Sequence, residues 1–285
     1  MFPYYPLKVT RNLQLLVWAA VLMALSFIFN IFSINVTSVL KVSFTRIPFA
    51  LIGWMFGPVW GFTFGAIADT MDWLTRGYTW FWLFAIQKPM FCFLAGLVKG
   101  VYQVRQSSTN WKIDFWILQS ILIGFFVLTL VLLLMYLTDG NFQAAGNQSF
   151  GRGFDVNVHI LQGITMAAFI SFFVGLEIFL GWKYTKVKKP KEMILNLYIL
   201  MMALLMTLVV SLLIGTIASI EYLVFLSGKP SKNFVKYGSY FFLMPRVLVQ
   251  ALLMPLYLAL FKPLIRIAEN NLRNYLRVYN LSWKR

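Results

Sequence analysis

Two arginines stand hard against long apolar runs. Arg46 opens RIPFALIGW, and Arg246 lies within YFFLMPRVLVQALLMP. A guanidinium offers paired N–H donors in one plane, the geometry that fits a carboxylate, so both are candidates to hold an anionic ligand. Gln250, four residues after Arg246, and Glu221, late in its own apolar run, add polar side chains to the same candidate set. Asp69 could accept from the N–H groups of a heterocycle, or pair structurally with Lys88 or Arg76. Lys88 sits about two turns into an apolar run, where a lysine must pair, face a cavity or snorkel to the surface. Trp54, Trp73, Trp80 and Trp82 could stack on a ring, or anchor the chain at a membrane interface. This chemistry binds and does not break bonds. One His and one Cys leave no ordinary zinc site, and no G-x-x-x-x-G-K-[ST] loop is present. Nine acidic residues are scattered and suggest neither a metal cluster nor a general-acid pair. No metal, no cofactor and no enzymatic activity are expected.

The elements that must position these residues are membrane helices. The 285 residues are 60% hydrophobic and 12% charged, and several apolar runs exceed the roughly 20 residues that cross a bilayer. The sequence therefore reads as an all-α polytopic membrane protein. Spans are expected at about 12–32, 47–56, 59–74, 80–102, 113–137, 158–182, 193–226 and 240–264, eight segments in all. In 46–73, Gly53, Gly57, Gly61 and Gly65 recur every fourth residue and clear a flat stripe for close helix packing. Pro58, directly after Gly57, predicts a break between two short helices. Such a discontinuous, glycine-faced pair is the best pointer to a binding site.

The net charge of +16 is a matter of topology rather than of nucleic acid, because the basic residues flank the spans. With both termini in the cytoplasm, sixteen of the 25 basic residues fall inside, including the five lysines of 183–191. Lys41, Arg46, Lys229, Lys232 and Lys236 then lie outward, against the usual bias. An outward-facing site for an anionic solute would account for them, and so would simple solvation of a loop. The 138–157 stretch, with four glycines, reads as an exposed loop, and His159 as an interfacial residue. The tail from Arg266 is basic and partly amphipathic, suited to a membrane surface or a partner.

The order of these features resembles the substrate-binding S component of energy-coupling factor (ECF) vitamin transporters, most closely the folate-type branch. The helix 1 alanines followed by SFTRIPFALIGWMFGPVWGFTFGAIAD carry the resemblance. AGLVKG and MPRVLVQALLMP, where an Arg precedes a Pro by nine residues, fall in the right order behind it. The resemblance implies a six-helix core, here 1–106 and 191–265, with 107–190 an inserted transmembrane hairpin and 266–285 a cytoplasmic tail. It implies capture of a vitamin, folate or a related planar anion, from outside a bacterial cell. It also implies partnership with a coupling membrane subunit and two ATPase subunits, docked through Ala20 and Ala24. The Gly53, Gly57, Gly61 and Gly65 stripe would pack helix 1 or join that docking surface. Two departures fall in the substrate region: WFWLFAIQKP before the fourth helix, and Gly215 and Ser219 in the fifth, where the branch carries Asn. A membrane scaffold that recruits a partner through its tail and hairpin is the alternative from another class.

Overall fold

The computed structural model describes residues 13–35, 41–42, 44–77, 79–105, 111–138, 158–185, 190–230, 232–237 and 239–278. Of the expected loop at 138–157 all but Thr138, which ends a helix, lies outside these, as do most of the lysine run and the last seven residues. The described chain is helical apart from one antiparallel pair of two-residue strands, β1 (Ile34–Asn35) and β2 (Lys41–Val42). In order come α1 (Leu13–Ile31), α2 (Arg46–Arg76), the single turn α3 (Trp82–Ala85) and α4 (Gln87–Arg105). Then follow α5 (Trp111–Thr138), α6 (Val158–Thr185) and α7 (Pro190–Leu205). A π-helical stretch, Met206–Ile214, leads into α8 (Gly215–Ser227), and α9 (Lys232–Tyr237) and α10 (Tyr240–Val278) follow. Four stretches, 13–31, 46–75, 82–105 and 192–227, are long and apolar enough over the described residues to cross a membrane.

The centre of the fold is α2, and α2 is a hairpin. Gly57 has φ 83° and ψ −178°, a conformation open essentially to glycine alone. Pro58 then starts the second arm with φ already near helical, the usual division of labour between a glycine that ends one helix and a proline that begins the next. The arms fold back on each other. A Cβ added at Gly61 would lie 3.1 Å from the Cα of Gly53, and Phe56 meets Phe64 edge to face at 5.2 Å. At 1.5 Å per residue the first arm is about 16 Å long, too short to cross the roughly 30 Å of hydrocarbon. Its broken backbone must therefore be covered by protein.

That cover is α4. A Cβ at Gly53 would overlap the carbonyl oxygen of Cys92 and stand 2.8 Å from Cβ of Ala95. One at Gly65 would stand 2.7 Å from Cα of Pro89, and one at Gly96 would overlap the Gly57–Pro58 backbone at the tip. At Gly53, Gly61 and Gly65 the stripe thus packs against this chain's own α4. The sequence reading did not name α4 as the neighbour of the stripe. The mouth of the hairpin, at Arg46 and Asp69, lies level with the start of α4, and its tip points toward the end that carries Lys99. Helices α7 and α10 close the core around this unit, with Trp54, Phe49, Met202 and Phe261 at 0–1% exposure. Helix α5 packs on α7 and α10, and α6 on α10. As far as Val278 the basic tail continues α10, which runs from Tyr240 without a break.

Candidate functional site

Arg46 is the first residue of α2, and its side chain enters the space between that helix, the π stretch and α10. Its Nη1 donates to Oε1 of Gln250, and its Nη2 donates to Oγ of Ser211 at 2.7 Å. The guanidinium carbon lies 5.3 Å from the ring centre of Phe91 and 5.3 Å from that of Tyr257, so aromatic faces hold the cation as well. Among the described residues no carboxylate lies within 4.0 Å of Arg46. Its partners are neutral.

Arg246 comes to the same region from α10, one turn before Gln250, and is 9% exposed. Its Nη2 donates to Oγ of Ser219 at 2.5 Å. The surface that receives it is Gly215, where an added Cβ would stand 2.5 Å from Nη1. Ser211, Gly215 and Ser219 recur every fourth residue, which puts them on one face of the continuous helical path 190–227. The path is π-helical through Ser211, a form that concentrates at functional sites. One helix face therefore presents a serine to each arginine and a gap for the second. Both guanidinium groups thus bond to serines of the same helix face. Arg46 also sits at a helix N-terminus, where the macrodipole adds a positive potential. Such a site attracts an anion.

Of the nine residues expected to bind substrate, Arg46, Arg246 and Gln250 come together here. Asp69 and Lys88 form a second cluster at the mouth of the hairpin. The Lys88 ammonium lies 2.8 Å from Asp69 Oδ1 and 2.8 Å from Asp72 Oδ2, and Asn30 of α1 donates to Asp72 Oδ2 at 2.7 Å. The pairing of Asp69 with Lys88 considered from the sequence is the arrangement found. Trp54 is elsewhere: it is 1% exposed, beside Tyr102 and under the Lys99 ammonium at 4.9 Å, while Lys99 pairs with Glu269 at 2.5 Å. Trp73, Trp80 and Glu221 lie exposed on the outside of the bundle. Beside the arginines, the turn α3 and the residue before it pack on α8, with Phe81 and Phe84 against Tyr222 at 5.5 and 5.2 Å. The segment WFWLFAIQKP thus abuts the helix that carries Ser219. The sequence reading did not select Ser211, Phe91, Tyr257, Asp72 or Asn30. The four-residue spacing of Ser211, Gly215 and Ser219 in an apolar run was the available signal.

An all-α bundle of this apolar composition, with four helical stretches able to cross a membrane and two arginines on one helix face, is the architecture of a multi-pass membrane protein. The chain belongs to the family described as ECF transporter, substrate-specific component, which it matches over residues 14–175. It is also 59% identical over 286 residues, the whole length of both chains, to "Uncharacterized protein MG313" of Mycoplasma genitalium. The protein is accordingly the substrate-binding subunit of an ECF transporter, a transport protein and not an enzyme. Its partners are a small-molecule substrate and the energising module of that transporter.

Proposed function

We propose that this subunit captures an anionic vitamin, folate or a close relative, with Arg46 and Arg246 pairing to its carboxylates. The observation that carries the reading is Arg46. It is a cation inside an apolar bundle, fixed by Gln250, Ser211 and two rings, with no carboxylate among the described residues to neutralise it. Holding a charge without a counter-ion in this half-buried position is unfavourable, and an incoming carboxylate offsets that cost. The test is isothermal titration of the detergent-purified chain with folic acid, beside native mass spectrometry of the untreated protein. We expect saturable binding and a co-purified folate-like mass. Another anionic vitamin in the spectrum would replace folate but keep the site, and a neutral ligand would remove the assignment.

Among the described residues the site draws on α2, α4, the 190–227 path and α10, and we read 107–190 as an inserted hairpin. We place the arginine end outward and both termini in the cytoplasm of a bacterial cell, in agreement with the distribution of basic residues. The energising module would comprise a coupling membrane subunit and two ATPases. Ala20 and Ala24 are exposed on α1, opposite the Ala19, Leu22 and Ser26 face that packs on α2. They would form the face toward the coupling subunit, small enough for close approach. Replacing both by Trp should abolish uptake of labelled substrate in cells while leaving binding by the purified chain intact. Normal uptake would refute the docking role.

A further inference from the structure

The geometry points to a specific task for Gly215: we propose that it is a positioning residue for ligand binding, its missing Cβ fixing where the Arg246 guanidinium sits. This rests on the reading of Arg246 as a ligand-binding residue. Arg246 is buried and reaches α8 at two points, Ser219 Oγ at 2.5 Å and the bare backbone of Gly215. A Cβ at 215 would stand 2.5 Å from Nη1 and 3.3 Å from Cζ. The clash is with the far end of a flexible side chain, so the guanidinium moves, while the Val210 carbonyl oxygen at 3.3 Å has only to give by a few tenths of an ångström. Any methyl group there therefore re-aims the cation. The carboxylate pairing expected of an arginine depends on the plane and position of its fork, so even a small displacement matters for affinity. Gly215 opens α8, and alanine is the better helix former, which separates this effect from folding. Ser219 acts with it, because its hydroxyl accepts from Nη2 and sets the other end of the fork.

The experiment is a double-mutant cycle on the full-length purified chain, with folic acid as the probe in isothermal titration. Gly215→Ala should weaken binding about tenfold, the loss of roughly one charge-assisted hydrogen bond. In an Arg246→Lys background the same substitution should cost less than about twofold, because an ammonium has no Nη1 to collide with the added methyl. Ser219→Ala should follow the same pattern and serves if Gly215→Ala expresses poorly. Equal losses in both backgrounds would mark Gly215 as merely structural and overturn the inference. If Arg246→Ala weakens binding while Gly215→Ala and Ser219→Ala are silent, the inference fails and the proposed site stands. If Arg246→Ala is silent, or the parent chain binds neither folic acid nor any anionic molecule that co-purifies with it, the proposed site fails and the inference falls with it.

Discussion

Arg46→Ala should lower the affinity for folic acid by about a hundredfold or more and leave the melting temperature unchanged or raised. The first half follows from the strength of hydrogen bonds to a charged partner, about 1.5–3 kcal/mol each, and from the fork that allows two at once. The second half follows from what surrounds the residue in the free protein. Gln250 and Ser211 satisfy two donors, but among the described residues no carboxylate offsets the charge, and the helix N-terminus repels it. Removing a half-buried cation that has no counter-charge among the described residues relieves that cost, whereas removing one half of an ion pair would strand the other. Arg46→Lys keeps the charge and loses the fork, so it should fall between the parent and the alanine variant. Titration calorimetry and thermal melting in the same detergent check both halves. Parent-like affinity in Arg46→Ala would remove Arg46 from the binding site. A large drop in melting temperature would mean that the guanidinium is a structural tie instead.

The stabilising expectation shows where the sequence was legible. A cation beside an apolar run is conspicuous because its burial is expensive, so Arg46 and Arg246 can be found one residue at a time. The break at Gly57 was legible for the same reason, since a glycine followed by a proline leaves the backbone little choice. What each face packs against is a different kind of information. The glycine stripe announces a close approach, but only the folded chain shows that α4 makes it, through Cys92, Pro89 and the tip opposite Gly96. Trp54 illustrates the limit from the other side. A tryptophan near a candidate site has the same local sequence whether it faces a ligand, lipid or Lys99, and its hairpin arm turns it toward Lys99. Ser211 and Ser219 are weak signals alone, because a serine in a membrane helix can bond to its own backbone, as Ser219 also does to Gly215. Their meaning comes from two arginines that approach from elements about 200 residues apart in sequence.

Gly96→Ala should be among the most damaging single substitutions in the molecule, although it adds one methyl group to a helix. At most helical positions the exchange stabilises by about 0.5–1 kcal/mol, because alanine loses less backbone freedom than glycine. Gly124 and Gly175 are such positions, with nothing within 4 Å of an added Cβ. At Gly96 the methyl would overlap the Pro58 nitrogen and stand 2.6 Å from Pro58 Cα. The obstacle is backbone, and the backbone of a turn whose Gly57 already occupies a conformation almost no other residue adopts. The hairpin cannot yield without leaving its cover, and uncovered backbone inside a membrane leaves polar groups unsatisfied. A cost of about 3 kcal/mol or more follows from overpacking alone. For a chain of this size that corresponds to a fall of roughly 10 °C in the midpoint of thermal unfolding in detergent. Gly124→Ala, measured beside it, should show no fall. The contrast isolates the interface between the hairpin and α4, since both substitutions make the same chemical change. Equal midpoints would mean that the tip of the hairpin does not rest on α4, and the support beneath Arg46 would have to come from α10 instead.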